Sequence, residues 1–297
     1  MTEEARLRLP YKAPYDWAHL HAFLARRAIA GVESVTAGAY ARTVRTPGGY
    51  AFVKVQPAVR GQALELEIRS DARADLASLC LVARRVFGLD ADPARVVAAL
   101  KRDPQLHALS KRRPGIRIPG TWEPFESGVR AILGQQVTVA AGRTLLTRLA
   151  TRLGERVGSE GLEVSRLFPT PESIAQCDPR ELGVPRARAA ALQGFARAVR
   201  DGAVNFNDPG ERVMRALVEL PGVGAWTAGY VALRGLSDPN GFPAGDLILR
   251  QQATSNGAAL TARELDSRAQ AWRPFRGYAV MHLWEASAAQ SRIAPPR

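Results

Sequence analysis

Strand-like patterning stops early in this chain, and that asymmetry constrains the fold more than any single motif. Alternating and β-branched stretches occur before residue 88, whereas from Asp92 onward nearly every periodic stretch repeats at helical spacing. Strands first and helices afterwards argue for an α+β architecture rather than a parallel α/β sheet.

Residues 15–31 (YDWAHLHAFLARRAIAG) place Trp17, Leu20, Phe23, Leu24 and Ala28 at helical spacing and stop at glycine. Three strand-like pieces follow, ESVTAGAYARTVR, GGYAFVKVQP and ALELEIRS, with the turn signal TPGG at 46–49. A second helical pattern at 75–87 closes a small antiparallel-sheet domain over residues 5–88. Helical patterns then follow at 92–102, 122–134, 136–153, 171–177, 179–201, 209–219, 225–235, 246–255, 261–272 and 274–287. They define an all-α domain over 89–290, about 200 residues, an ordinary domain size. The basic segment 110–122 (SKRRPGIRIPGTW) lacks a period and is expected to run extended across the surface. The tail at 291–297 is expected to be disordered.

The chain carries a formal net charge of +13, which bears on partners rather than on fold and favours a polyanion such as nucleic acid. The basic residues are nearly all arginine, which suits bidentate phosphate contacts, although a codon bias towards arginine gives the same excess. Cys80 and Cys177 stand far apart and outside any CxxC or histidine-linked pattern, so a disulfide framework, a zinc site and an iron–sulfur cluster are not expected. The opening residues lack a basic then apolar leader, and no run approaches the ~18 apolar residues of a membrane span. A cytoplasmic, reduced chain is the expectation.

In LPGVGAWTAGYVALRG, residues 220–235, two glycines follow a proline and lead straight into a helical pattern. Glycine is costly inside a helix, so Gly222 and Gly224 mark a turn that needs positive φ or a close approach. A helix ending near Leu220, the turn, and a new helix from Ala225 make a helix–hairpin–helix over about residues 209–235. Backbone N–H groups at the second helix's N-terminus form an anion site that a phosphate fits without base preference. An ordinary helical hairpin, whose glycines only permit the bend, shares the pattern. Downstream, GFPAGDLILRQQ puts Asp246 between a loop and a helical run. A lone Asp there is most often an N-cap, yet its place one helix and one loop after the hairpin could set it beside bound DNA.

The hairpin followed by FPAGDLILRQ resembles the hairpin and catalytic aspartate of the helix–hairpin–helix DNA glycosylases. Within that superfamily, YDWAHLHAFLARRAIAGVE, FESGVRAILGQQVTVAAG and WRPFRGYAVMHLW are similar to the DNA-3-methyladenine glycosylase II family. The resemblance implies a small N-terminal sheet domain like those of the TATA-binding protein, then the all-α glycosylase domain. It further implies a monomer that acts on duplex DNA containing alkylated bases and hydrolyses the N-glycosidic bond of a flipped purine.

On this resemblance Asp246 stabilises the sugar cation and orients or deprotonates water. Trp226 stands where bifunctional relatives carry a Schiff-base lysine, so a monofunctional enzyme is expected. Trp226, Tyr230 and Trp284 match the base-binding cleft, with core packing as the alternative for each. For Tyr278 and His282 a buried structural pair is the preferred reading. Gly222, Val223, Gly224 and Ala225 match the phosphate-binding turn, with a monovalent cation at its carbonyls an optional companion and no metal or other cofactor expected. Gln136 occupies the place of the wedge that fills the gap left by the flipped base, which is leucine in the best-studied relative; Gln135 and Gln136 could equally cap helix contacts. Residues 111–113 (KRR) would add phosphate affinity, or form a solvated loop. The rival readings are a non-catalytic DNA-binding protein, or a glycosylase for oxidised or deaminated purines. The missing lysine at 226 speaks against a lyase.

Overall fold

The computed structural model describes residues 3–70, 75–158, 163–178, 183–254 and 257–293. Its N-terminal part is a five-stranded antiparallel sheet in the order β1-β5-β4-β3-β2, built from β1 (Glu3–Pro10), β2 (Glu33–Thr36), β3 (Ala39–Thr46), β4 (Gly49–Pro57) and β5 (Ala63–Ser70). The first strand was not anticipated. Ala5, Leu7 and Leu9 do alternate with charged residues, and Leu7 and Leu9 pair with Leu66 and Leu64, but the charges mask the period. Helices α1 (Trp17–Ala25) and α2 (Leu76–Val86) pack on the sheet, burying Leu20, Leu24, Leu79 and Val86 against Val53, Val55, Leu66 and Ile68.

The remainder is helical: α3 (Pro93–Leu100), α4 (Pro104–Arg112), α5 (Pro124–Gly134), α6 (Val139–Leu153), α7 (Pro171–Gln176), α8 (Arg186–Arg200), α9 (Gly210–Val218), α10 (Ala225–Arg234), α11 (Leu247–Gln252), α12 (Ala262–Ala269) and α13 (Arg276–Ile293). Two cores form within it. One joins α5, α6, α8, α9 and α10; the other joins α3, α4, α11, α12 and α13 and takes Phe23 from α1. Among the described residues no helix is long and apolar enough to cross a membrane.

Several expected boundaries move for local reasons. Thr138 caps α6 through its side chain, and Gln136 has φ 55°, so the helix opens at Val139 rather than 136. Pro185 stands at the N-cap of α8, which therefore starts at Arg186; residues 179–182 lie outside the described residues. Similarly, the helix expected over 246–255 spans Leu247–Gln252, with residue 255 outside the description. Helix α13 continues through Ile293, into the stretch expected to be a disordered tail, and 294–297 are not described.

The basic segment 110–122 departs most from expectation. Its first residues end α4, a helix whose Asp103 N-cap and Pro104 had gone unread, and residues 115–122 are buried. Arg117, 1% exposed, makes this tolerable by donating to the carbonyls of Lys12, Pro14, Gly88 and Gly115. Buried carbonyls need donors, and an arginine with five N–H groups satisfies several at once. The segment is thus a staple between sheet and helices.

Candidate active site

The hairpin joins α9 to α10, with Leu217 and Val223 buried beneath it. Of its glycines only Gly222 needs positive φ, at 80°, and a Cβ there would lie 2.6 Å from the Ala191 Cβ of α8. Gly224, by contrast, is ordinary extended backbone at φ −93°, with open space where a side chain would stand. It occupies the N-cap of α10 without a side-chain cap, so the first-turn N–H groups lack a side-chain acceptor. Three of the turn's carbonyls accept from protein donors. Leu220 accepts from Val223 N, Gly224 from Ala228 N, and Gly222 from the Gln135 amide at 3.0 Å. Gln135 also donates to Thr227 Oγ1 at 3.1 Å, tying the α5–α6 loop to the hairpin.

Glycine within α10 then sets the next loop. A Cβ on Gly229 would stand 2.7 Å from the Phe242 carbonyl oxygen, so its absence lets the 242–246 loop lie against the helix. That loop delivers Asp246 as the N-cap of α11, where Oδ1 accepts from Leu249 N at 3.0 Å. The same carboxylate accepts from Trp284 Nε1 and, through Oδ2, from Trp226 Nε1, each at 3.2 Å. Capping and a place in the site are therefore not alternatives for this residue. Three donors leave further acceptor capacity on a group that offers about four lone-pair directions.

Asp246, Trp226, Tyr230 and Trp284 line one cleft of about 410 Å³. The Trp226 and Tyr230 rings lie 5.7 Å apart, and those of Tyr230 and Trp284 6.4 Å apart. Arg234, buried beneath, donates to Tyr230 Oη at 3.0 Å and to the Pro119 and Gly120 carbonyls, fixing the tyrosine to the stapling segment. Tyr278 and His282 are buried outside this lining. Burial foremost, then the neighbouring His19 and Arg113, lowers His282 to about 4.

The cleft also gathers residues that the sequence pattern does not mark as part of a site: His19, Arg27, Arg130, Glu285, and Phe23, which it marks only as a helix's apolar face. His19, Phe23 and Arg26 recur at helical spacing along one face of α1 and into its end, and polar groups on an otherwise apolar face were the available signal. Phe23 stacks near Trp284 at 6.5 Å, continuing the aromatic wall. His19 Nε2 stands 3.6 Å from Glu285 Oε2, and burial foremost, then Arg113, pushes this histidine down to about 4 against the pull of Glu285 and Asp16. Arg113 binds Glu285 and Asp16, so of the 111–113 triplet only Lys111 and Arg112 are exposed. Gln136 is exposed on the α5–α6 loop, between cleft-lining Gly134 and Val137.

Both parts of the chain are similar to known proteins. Residues 6–123 match the model of the AlkA N-terminal domain, and 129–276 that of the HhH-GPD superfamily base excision DNA repair protein. The chain is 40% identical over 94% of its length to the "Probable bifunctional transcriptional activator/DNA repair enzyme AlkA" of Mycobacterium tuberculosis, but spans only 56% of that relative. It is 35% identical to DNA-3-methyladenine glycosylase 2 of Escherichia coli, covering 93% of this chain and 95% of the relative. In fold it is similar to the 3-methyladenine DNA-glycosylase from Archaeoglobus fulgidus, with a TM-score of 0.80 at 22% identity over 93% of this chain and 96% of the other. An N-terminal five-stranded sheet, a helix–hairpin–helix and an aspartate-bearing aromatic cleft thus come together in a chain that belongs to the DNA-3-methyladenine glycosylase 2 family of the HhH-GPD superfamily.

Proposed function

We propose that this chain hydrolyses the N-glycosidic bond of alkylated purines, 3-methyladenine and 7-methylguanine foremost, flipped out of duplex DNA, and that it does so without strand cleavage. The observation that carries the reading is the Asp246 carboxylate held by two indole N–H groups in an aromatic cleft. The name of the Escherichia coli relative points to the same substrate class.

Alkylation at N3 or N7 makes the base cationic, so it departs as a neutral molecule and asks little general-acid help. Electron-rich rings suit such a base through stacking and cation–π attraction. The burden falls on the sugar, which gains positive charge as the C1′–N bond breaks. Asp246 opposes that charge, and water adding to C1′ gives its proton to the carboxylate. Trp226 and Trp284 hold the carboxylate in place without neutralising it. Lyase chemistry needs an amine, and none of the four lysines, Lys12, Lys54, Lys101 and Lys111, lines the cleft. The uncapped start of α10, at Gly222 to Ala225, takes a phosphate of the flanking backbone, and Gln136 fills the stack vacated by the flipped base.

Single-turnover base release from duplexes containing 3-methyladenine or 7-methylguanine tests the reading, with binding to an abasic analogue measured alongside. Wild type should release free base and leave unnicked, alkali-labile strands. Asp246→Asn should bind the analogue but release base at least about a hundredfold more slowly, the scale of losing one electrostatic group from a reacting centre. Equal DNA binding by both proteins with no base release from either would replace this reading with that of a DNA-binding protein.

A further inference from the structure

Among the described residues Arg27 pairs with no carboxylate, although it lines the same cleft as Asp246 and Glu285. It follows α1, its guanidinium carbon lies 3.8 Å from the centre of the Phe23 ring, and it donates to the Phe23 carbonyl at 3.4 Å, a length at which little strength remains. Burial foremost lowers its pKa, to about 9; of its charged neighbours Arg234, Arg26 and Arg130 are all cations, and Tyr230 alone favours the charge. Arginines buried for structure here behave otherwise. Arg117 and Arg234 spend their N–H groups on carbonyls, and Arg42 and Arg130 on glutamates.

The residue is also held in place. Arg130 Nη1 donates to the Arg27 carbonyl at 2.9 Å, and Arg130 is itself fixed by Glu33 at 2.5 Å and Glu126 at 2.7 Å. The half-buried guanidinium lines the cleft with N–H donors left open to it and no carboxylate bound, and its charge opposes a cationic base. Stacking on Phe23 occupies the face of the guanidinium and leaves its N–H edge for a ligand that brings an acceptor or a developing negative charge.

Resting on the glycosylase reading of the same cleft, we propose that Arg27 is the N–H donor to bases that leave as anions, and so sets the selectivity between neutral and cationic lesions. When the C1′–N9 bond of a neutral purine such as hypoxanthine breaks, the electron pair goes to the base and spreads onto its ring nitrogens and O6. Hydrogen bonds from Arg27 strengthen as that charge develops. Water adds to C1′ and gives up a proton through Asp246, and the base anion takes a proton from solvent, so free neutral base and an abasic sugar result. A cationic base leaves neutral, forms no anion and gains nothing from the arginine.

The test compares single-turnover release of hypoxanthine and of 3-methyladenine, from otherwise identical duplexes, by wild type, Arg27→Met and Arg27→Lys. The ratio of hypoxanthine to 3-methyladenine release should fall at least about tenfold in Arg27→Met, the worth of a hydrogen bond to a charged group, and recover in part in Arg27→Lys. Thermal unfolding and binding to an abasic analogue report whether each variant is folded. Should the methionine variant unfold, the lysine variant decides, since loss of the fork alone should lower the ratio about threefold. An equal fall for both bases marks lost packing and overturns the proposal, as does a wild type that releases 3-methyladenine but no hypoxanthine. A wild type that releases neither base overturns the glycosylase reading itself.

Discussion

At the scale of single residues, the site turns on what surrounds one carboxylate. Asp246 accepts from two indoles and from its own helix, so each indole N–H contributes orientation as well as ring surface. Trp226→Phe keeps an aromatic wall and deletes one donor; base release should slow about fivefold to tenfold, with abasic-analogue binding retained, as single-turnover assays would show. That Asp246, Trp226 and Trp284 would meet was legible because the resemblance, at matching spacing, names these positions. Arg27, Arg130 and Glu285 were not, since their role depends on which helices face each other. Buried histidines give a second residue-scale expectation. His282 has an ordinary value of 6.5 and a folded value of about 4, so between those values the unfolded chain binds the extra proton. Stability is therefore full above pH 6.5 and falls as pH drops towards 4, by about 3 kcal/mol for this one group. Denaturant titrations at a series of pH values should show that slope, and His282→Phe should remove its share and leave that of His19, which burial also lowers to about 4.

Elements come next, and the hairpin separates two glycines that look alike in sequence. Gly222 needs its positive φ and has Ala191 against it, so Gly222→Ala should cost about 1–3 kcal/mol in unfolding free energy and weaken DNA binding as the turn shifts. Gly224 has ordinary dihedrals and open space, so Gly224→Ala should leave the melting temperature within a degree or two of wild type. Any loss of DNA affinity in that variant then reports the added methyl at the proposed phosphate contact. Melting curves and binding isotherms on both variants separate fold from contact. The hairpin itself was readable from proline, glycine and period, because turn chemistry is local. Helix α4 and the burial of residues 115–122 were not, because a basic, aperiodic segment looks solvated until Arg117 is seen to satisfy four carbonyls.

Over the whole molecule, a buried ion-pair network ties sheet to helices directly behind the cleft. Glu33 and Arg42 come from β2 and β3, Glu126 and Arg130 from α5; Arg42 binds Glu126 at 2.9 Å, and Tyr40 donates to Glu33 at 2.8 Å. Burial alone would raise Glu126, yet Arg42 and Arg130 hold it down to about 2. Removing one member leaves buried charge uncompensated, so Glu126→Ala should lose about 3–5 kcal/mol of stability in denaturant unfolding. Arg42 shares its inward register with Tyr40 and Val44, which puts a charge on the face the strand buries. A partner was therefore required, but nothing in the strand names Glu126.

What the sequence determined by itself is local in origin: strands before helices, the turn at Gly222, the cap at Asp246, and, through resemblance, the family. Those features rest on backbone sterics and short-range hydrogen bonds, which neighbouring residues specify. Tertiary structure alone decided that α1, α5, α6, α10, α11 and α13 would enclose one cleft, that a basic connection would become a buried staple, and that Arg27 would face the site with no carboxylate bound among the described residues. Each of these depends on groups far apart in the chain meeting where water is excluded, and there the choice of partner, not the residue type, sets what a charge can do.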